Sequence, residues 1–208
     1  MAVLFPKYST NLVVGVSNSG KSYLIRHYLS SPEKYFEQIP ENIYIVHCNS
    51  QTPDYNLTST EFTKVVEIYI EDFDLNIVEP NSILVFEDVN KVYETIKIAC
   101  NVATHHLPLL SLFIVSQGVT GNTHFDLVKL VHRLIFCLGS KSAYKSAEFI
   151  VKFFYKDRET QNYILKILTF ASRLESHFLL ELNSIAARPR PFLAYTHILN
   201  KFNYYIAL

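Results

Sequence analysis

The chain of 208 residues contains the octapeptide Gly15-Val16-Ser17-Asn18-Ser19-Gly20-Lys21-Ser22, which indicates its fold class. This octapeptide joins an apolar segment at residues 11–15, a predicted strand, to a predicted helix at residues 19–29. The spacing of its two glycines and the Gly-Lys-Ser triplet match the P-loop pattern, in which backbone N–H groups point at a polyphosphate. The N-terminus of the helix adds a partial positive charge at the same place. The stretch therefore predicts a site for a nucleoside triphosphate.

Each residue of this loop has an expected role toward ATP and Mg²⁺. Lys21 is expected to reach the β- and γ-phosphates, and the Ser22 hydroxyl is expected to ligate the Mg²⁺ ion. The residues expected to contact the nucleotide are Gly15, Ser17, Asn18, Ser19, Gly20, Lys21, Ser22 and Tyr23. A chance strand–turn–helix is the alternative, and it leaves the triplet, the spacing and the context unexplained.

Two adjacent acids follow a strongly apolar strand at residues 82–86. Ligands of open parallel sheets bind at the carboxyl ends of the strands, and Glu87 and Asp88 stand at such an end. We expect Glu87 to order the Mg²⁺ shell and Asp88 to polarise the attacking water. In the alternative interpretation both acids only cap the following helix, a role that Asn90 could also fill.

A polar amide follows the next apolar strand. Gln117 comes directly after residues 112–116 and is suited to sensing the γ-phosphate and orienting the attacking water. Taken alone it reads as a loop residue, and its interpretation depends on the two elements that precede it. The predicted catalytic residues are Lys21, Glu87, Asp88 and Gln117.

Strands and helices alternate along the chain. Further strands are predicted at 42–48, 133–138 and 178–182, helices at 90–104, 125–131, 142–155 and 160–175, and residues 64–69 fit a strand or a short helix. Near-continuous apolar strands between helices predict an α/β fold with a mostly parallel sheet flanked by helices. We expect one P-loop domain over residues 1–208, with a core at about 10–140 and a helical, aromatic C-terminal part at about 141–208.

The composition favours a packed intracellular protein. Hydrophobic residues make up 49% of the chain, yet no apolar run approaches the ~20 residues that span a bilayer. The N-terminus does not resemble a signal peptide, so we do not expect secretion. Cys48, Cys100 and Cys137 are widely spaced and odd in number, which favours buried, reduced thiols over disulfides or a zinc site.

The net charge is zero, but the charged residues are unevenly distributed along the chain. Residues 61–90 carry a net charge of −7 and residues 91–208 a net charge of +7. The basic part includes an alternation of lysines and aromatic residues: Lys141, Tyr144, Lys145, Phe149, Lys152, Phe153, Phe154, Tyr155 and Lys156. Two interpretations stay open, a nucleic-acid face or an amphipathic helix with its aromatic side chains in the core.

The ordered motifs resemble those of one family. They are Gly-Val-Ser-Asn-Ser-Gly-Lys-Ser at 15–22, Ile-Leu-Val-Phe-Glu-Asp at 83–88, a helix ending in Thr104-His105-His106, Leu-Phe-Ile-Val-Ser-Gln at 112–117 and Val-His-Arg-Leu-Ile-Phe at 131–136. Over residues 10–140 this order resembles the additional-strand, RecA-like division of P-loop ATPases. Within that division it is most similar to the FtsK/HerA superfamily, especially genome-packaging ATPases of poxviruses and other large DNA viruses.

The resemblance implies an ATP-hydrolysing motor that threads double-stranded DNA into a preformed viral capsid, at its portal or vertex. It also implies a homo-oligomeric ring, work at the site of virus assembly inside the host cell and, as an alternative, association with the virion. The family usually places Asp at the metal position, whereas this chain has Glu87 followed by Asp88, so the two roles remain open to exchange.

Two other functions stay open at this point. A small-molecule or nucleoside kinase also uses a P-loop, but its Arg-rich lid would have to lie at residues 154–158, which contain one arginine. A non-catalytic, nucleotide-dependent assembly factor would bind ATP without turnover. Candidates for an arginine acting in trans are Arg133, Arg158 and Arg173. The pair His105-His106 fits a structural role, a relay or a DNA contact.

Overall fold

The computed structural model describes residues 5–49, 55–89, 94–103, 107–117, 127–128, 130–138, 141–173, 177–181 and 191–194. At residues 142–143, 170–171, 173, 177–181 and 191–194 the description covers the backbone only. The predicted cap Asn90 and the pair His105-His106 lie outside the described residues, as does most of the predicted helix at 125–131.

All eight described strands join one sheet in the order β3-β2-β4-β5-β1-β6-β7-β8. The strands are β1 (Ser9–Val14), β2 (Asn42–His47), β3 (Lys64–Tyr69), β4 (Ser82–Val89), β5 (Ser111–Ser116), β6 (Arg133–Cys137), β7 (His177–Glu181) and β8 (Pro191–Ala194). The first six in this order run parallel, and β7 and β8 add to β6 in antiparallel pairs. The open choice at residues 64–69 is resolved as a strand. The prediction of a last strand at 178–182 is corrected, because β8 follows it.

The position of β5 confirms the predicted additional-strand α/β fold. This strand pairs in parallel with both β1 and β4, and so separates the strand before the glycine loop from the strand that carries the acids. The carboxyl ends of parallel neighbours meet at one edge of a sheet. This order therefore brings the end of β1, the acids of β4 and the end of β5 to the same edge.

Helices cover both faces of the sheet. They are α1 (Lys21–Leu29), α2 (Pro32–Tyr35), α3 (Glu94–Val102), α4 (Lys141–Phe154) and α5 (Arg158–Arg173), with a 3₁₀ turn at Leu75–Ile77. The helix α5 begins two residues earlier than predicted, because the side chain of Asp157 accepts a hydrogen bond from the Thr160 N–H at 2.7 Å and caps it. Among the described helices, none is long and apolar enough to cross a membrane.

Alternate residues of the strands fill two separate cores. Ile83 and Val85 of β4 pack toward α1, whereas Leu84 and Phe86 pack toward α3, α4 and α5, and all four are fully buried. Strands buried on both faces carry apolar residues at every position, as the sequence of β4 does. The sheet is therefore a rigid middle layer whose edges alone are open to ligands.

The aromatic residues of α4 divide between core and surface, so neither sequence interpretation holds for all of them. Tyr155 is buried and the Tyr144 hydroxyl lies 3.0 Å from the Thr169 hydroxyl on α5. Phe149 and Phe153 are 56% and 42% exposed. An amphipathic helix thus accounts for one side of α4, and a second side presents aromatic rings to solvent.

The three cysteines are buried free thiols, as predicted. Burial raises the pKa of each thiol to about 12. Because the thiolate is the reactive form, these side chains behave as small apolar residues of the core.

A polar cluster inside the core joins β1 to β5. The Asn11 Nδ2 donates to Ser111 Oγ at 2.8 Å and to the Leu112 carbonyl at 3.1 Å, and the Ser9 and Ser111 hydroxyls lie 2.8 Å apart. All of these side chains are buried. Buried hydrogen bonds of this kind are satisfied in one register only, so the cluster helps to fix how β1 lies beside β5.

We expect Asn11→Ala to lower the free energy of unfolding by about 2 kcal/mol, because two buried hydrogen bonds are lost and their partners stay buried. Thr58→Ala at an exposed position is the control and should change stability by less than about 0.5 kcal/mol. Urea unfolding followed by circular dichroism measures both. Equal stabilities of the two variants would contradict the role of the cluster.

Candidate functional site

The loop between β1 and α1 turns tightly beside the ends of two neighbouring strands. The Gly15 N–H donates to the Ser116 carbonyl at 3.3 Å, and the Ser19 N–H donates to the Val16 carbonyl at 3.2 Å. The first bond ties the loop to the end of β5, and the second closes a turn within the loop. The position of the loop is therefore set by the sheet.

The glycines of the loop are required by space and by backbone conformation. A Cβ at Gly15 would stand 2.2 Å from Ser19 Oγ and 2.9 Å from Cys137 Cβ, so only glycine lets the loop lie this close to β6. Gly20 has a φ of 87° and Asn18 a φ of 61°, in the left-handed region that glycine and asparagine tolerate best. The left-handed Gly20 precedes the helix, which explains why α1 begins at residue 21 and not at residue 19.

Lys21 is held across the loop. Its side chain is buried, and its Nζ donates to the Val16 carbonyl at 2.9 Å. Burial lowers the pKa of Lys21, whereas the neighbouring Cys137, Glu87 and Asp88 raise it. An ammonium group in this position is stabilised by any further anion in the loop.

The outer side of the loop faces solvent. Ser17, Asn18 and Ser22 are exposed, and Tyr23 is 64% exposed. The structure therefore brings Lys21 and Ser22 together with the acids of β4, and it leaves the side chains of Ser17, Asn18 and Tyr23 at the surface around them.

The carboxylate of Glu87 lies at the centre of the site. Ser22 Oγ donates to Glu87 Oε1 at 2.5 Å, and the Tyr55 hydroxyl donates a short hydrogen bond to Glu87 Oε2. Glu87 and Tyr55 are 1% and 2% exposed. Both carboxylate oxygens thus accept a hydroxyl, one from α1 and one from the segment before β3.

The burial of this carboxylate has a cost. Burial raises the pKa of Glu87, and Asp88 raises it further, while the hydroxyls of Ser22 and Tyr55 and the charge of Lys21 lower it. The balance stays on the raised side, so the charged form is less stable here than in water. A cation beside the carboxylate would offset that cost.

The oxygen atoms of Ser22 and Glu87 fit Mg²⁺, which prefers hard oxygen ligands. They lie 2.5 Å apart beside the glycine loop. In the part of the chain that the structure describes, no group of three or more His, Cys, Asp or Glu side chains could hold a metal ion. The residues present therefore suit an ion that takes its remaining ligands from phosphates and water, as Mg²⁺ commonly does.

Asp88 occupies a bulge at the end of β4. Its φ is 54°, and the register between β4 and β5 shifts between Phe86 and Val89. Gln117 Nε2 donates to Asp88 Oδ1 at 2.9 Å, and Asn49 Nδ2 donates to Asp88 Oδ2 at 2.9 Å. The bulge turns the Asp88 side chain toward the ends of β5 and β2, so Asp88 and Gln117 meet.

Sequence reasoning missed Tyr55 and Asn49. Asn49 follows β2 at the same edge of the sheet as Glu87 and Gln117. A polar residue directly beyond the carboxyl end of a predicted strand is therefore the signal that would have identified it. Tyr55 lies in a polar connection that carries no comparable signal. The structure holds Tyr55 in place through its N–H, which donates to Glu67 Oε2 at 3.1 Å, and His47 Nε2 lies 2.9 Å from the same oxygen.

Two of the three arginines predicted as candidates for a role in trans, Arg133 and Arg158, have described side chains, and neither belongs to this cluster. Arg133 is buried at the amino end of β6, the edge of the sheet away from the glycine loop. Arg158 is exposed at the start of α5, and the side chain of Arg173 lies outside the described residues. Of the two described side chains, Arg158 is the accessible one.

No protein-family profile and no curated protein sequence matches the chain. Solved structures that do match include the genome packaging NTPase B204 from Sulfolobus turreted icosahedral virus 2 in complex with ATP-gammaS. That match has 17% identity and a TM-score of 0.54 and covers 92% of this chain and 98% of that chain. B204, the DNA-packaging ATPase from Sulfolobus Turreted Icosahedral Virus, matches at 16% identity and a TM-score of 0.57, over 92% and 99% of the two chains. At such identities the similarity shows the shared α/β fold of P-loop NTPases.

The raised pKa of Glu87 predicts how stability depends on pH. Between its ordinary and its raised pKa, the folded chain binds a proton that the unfolded chain has lost, so the free energy of unfolding falls as pH rises through that window. Glu87→Gln removes this titration. Thermal unfolding from about pH 4 to 7, without nucleotide or Mg²⁺, should therefore show a steeper loss of stability in the wild type than in this variant. The exposed Glu61→Gln is the control, and parallel curves for Glu87→Gln and the wild type would refute the prediction.

Tyr55→Phe should weaken Mg²⁺-dependent nucleotide binding about tenfold or more, since a hydrogen bond to a charged group contributes ~1.5–3 kcal/mol. The lost hydroxyl favoured the charged carboxylate, so the acid limb of the binding profile should also move to higher pH. Titration calorimetry with ATP at several pH values measures both effects. Tyr44→Phe is the matched control, because the Tyr44 hydroxyl donates to the Ile77 carbonyl outside the site. Identical pH profiles for the two variants would rule out the assigned role.

Proposed function

We propose that this protein is an ATP-hydrolysing motor of the FtsK/HerA superfamily that moves double-stranded DNA into a viral capsid during genome packaging. One observation carries the proposal. One edge of the sheet brings together Lys21 and Ser22 at the start of α1, Glu87 and Asp88 at the end of β4, and Gln117 directly after β5. A hydrolysis site needs these groups together, whereas a site that only binds phosphate needs the loop alone.

In the proposed complex the backbone N–H groups of the glycine loop surround the phosphates of ATP. Lys21 leaves the Val16 carbonyl for the β- and γ-phosphates. Ser22 and Glu87 would hold Mg²⁺, which would neutralise charge on the phosphates. Tyr55 keeps the Glu87 carboxylate oriented through its hydroxyl, and Tyr23 stands at the open side of the nucleotide.

Asp88 is proposed as the base for hydrolysis. A water oxygen attacks the γ-phosphorus, the bond from that phosphorus to the bridging β–γ oxygen breaks, and the proton of the water passes to the Asp88 carboxylate. Gln117 orients the water through its amide, which already lies 2.9 Å from Asp88 Oδ1. Asp88 is partly exposed whereas Glu87 is buried, which favours this division of roles over the exchanged one, because the base has to reach solvent-derived water.

The DNA substrate, the ring and the capsid partner are supported by similarity and by size. The similar structures are named as a genome packaging NTPase and a DNA-packaging ATPase, and the fold matches over 92% of this chain. A chain of 24.0 kDa does not encircle a duplex, so several copies have to assemble around DNA. Work at the site of virus assembly in the host cell follows from the same proposal.

ATP hydrolysis with and without duplex DNA tests the proposal. We expect duplex DNA to raise the hydrolysis rate, Lys21→Ala to abolish nucleotide binding, and Asp88→Asn to bind ATP while hydrolysing it about a hundredfold or more slowly. Asn tolerates the left-handed backbone of residue 88, so this variant keeps the bulge.

Three outcomes would point elsewhere. Protein that stays monomeric with ATP, Mg²⁺ and DNA, and whose hydrolysis does not respond to DNA, is not a packaging motor. ATP binding without any turnover in the wild type would indicate an assembly factor, and phosphate transfer to a nucleoside would indicate a kinase.

A further inference from the structure

A stripe of lysine and phenylalanine runs along the outer side of α4. We name it the basic stripe; it consists of Lys145, Phe149, Lys152, Phe153 and Lys156. The first four lie at spacings of four, seven and eight residues, which places them on one side of α4, and Lys156 follows two residues beyond the end of that helix. All five are exposed, and the two phenyl rings stack with centroids 6.5 Å apart. Lys156 Nζ lies 5.2 Å from the centroid of Phe153.

The opposite side of α4 fixes the orientation of this stripe. Ala147, Ile150 and Val151 are fully buried against the sheet and against α5. The helix therefore has no freedom to turn its phenyl rings inward. Residues 141–173, which hold both helices, carry seven Lys or Arg and three Asp or Glu, a net charge of +4.

The chain presents a surface of the opposite chemistry after β3. We name it the acidic face; its exposed residues are Tyr69, Glu71, Asp72, Asp74, Ile77 and Glu79. Residues 65–90 contain no Lys or Arg. Phe73 and Val78 of this segment are buried and hold it against the core. The Phe73 ring is perpendicular to the Phe86 ring, with their centroids 5.7 Å apart.

One chain does not bring its own two surfaces together. The acidic face follows β3, which is first in the sheet order, and α4 packs beside β6, which is sixth. At ~4.8 Å between neighbouring strands these positions lie about 24 Å apart. Two copies of the chain, in contrast, are able to place the stripe of one against the acidic face of the other.

We propose that the basic stripe of one copy docks on the acidic face of a second copy, in a head-to-tail contact. The lysines of the stripe pair with carboxylates of the acidic face, and the two phenyl rings pack against Tyr69 and Ile77. The two surfaces are therefore complementary in charge and in apolar area. A contact between two different surfaces repeats from copy to copy and closes into a ring when the rotation allows it. The ring belongs to the proposed function, on which this inference rests. The inference adds the two surfaces through which neighbouring copies would contact each other.

Duplex DNA fits the stripe less well than a second copy. A duplex offers phosphates to the lysines, but its stacked bases leave no apolar surface for Phe149 and Phe153 outside the grooves.

Sedimentation velocity of two complementary variants tests the contact. The stripe variant is Phe149→Ser/Lys152→Glu/Lys156→Glu, and the face variant is Glu71→Gln/Asp72→Asn/Ile77→Ser, whose neutral amides do not attract the new glutamates. We expect the wild type to form species larger than a dimer at low salt and to dissociate as salt rises, because such charge contacts are screened. Each variant alone should be monomeric. Their equimolar mixture should form a one-to-one dimer and nothing larger, since each variant keeps one intact surface.

Lys97→Glu/Ile98→Ser on α3 is the matched control, with a partly exposed lysine and an exposed isoleucine outside both surfaces, and it should assemble as the wild type does. Circular dichroism melting checks that every variant folds. Variants that assemble like the wild type, a mixture that stays monomeric, or a stripe variant that assembles normally but loses DNA affinity would each overturn the proposal. ATP binding is measured on the same samples: its absence in the wild type refutes the proposed function, whereas retained binding without assembly refutes the head-to-tail contact alone.

Discussion

The buried carboxylate of Glu87 is the constraint on which the site depends. It is fully buried although burial disfavours its charge, and the two hydroxyls that it accepts come from distant parts of the chain. Ser22 brings the start of α1 to β4, and Tyr55 brings the segment before β3 to the same point. One charged group thus sets the relative position of the glycine loop, the acid strand and the edge of the sheet. Any cation that binds beside it acts on all three at once.

Much of this arrangement could be predicted from the sequence, because its signals are local. The glycine loop needs particular residues at particular spacings, and the apolar run before Glu87 marks a buried strand that ends in acids. Gln117 could be predicted only because it follows these two elements in the sequence. In the sheet β5 lies between β1 and β4, which places Gln117 beside both of them. The contact between Gln117 and Asp88 follows from that neighbourhood.

Other features depend on contacts between distant residues and leave no local pattern. Tyr55 sits 32 residues before Glu87 in a polar connection, and only the folded chain brings its hydroxyl to the carboxylate. The aromatic residues at 144–155 all follow the same pattern in the sequence, yet the folded chain buries Tyr155 and leaves Phe149 at the surface. The strand β8 follows a stretch rich in proline and arginine, so its pairing with β7 is not apparent from hydrophobic alternation.

The left-handed backbone of Asp88 constrains which acid can stand at each of the two positions. Asp and Asn populate this conformation far more readily than longer or branched side chains, because their short polar groups bond locally. An exchange of the two acids would place a glutamate in the left-handed bulge and a side chain one methylene shorter at the buried position that now accepts both hydroxyls. The order Glu–Asp in this chain therefore suits the conformation of its main chain as well as the contacts of its buried carboxylate.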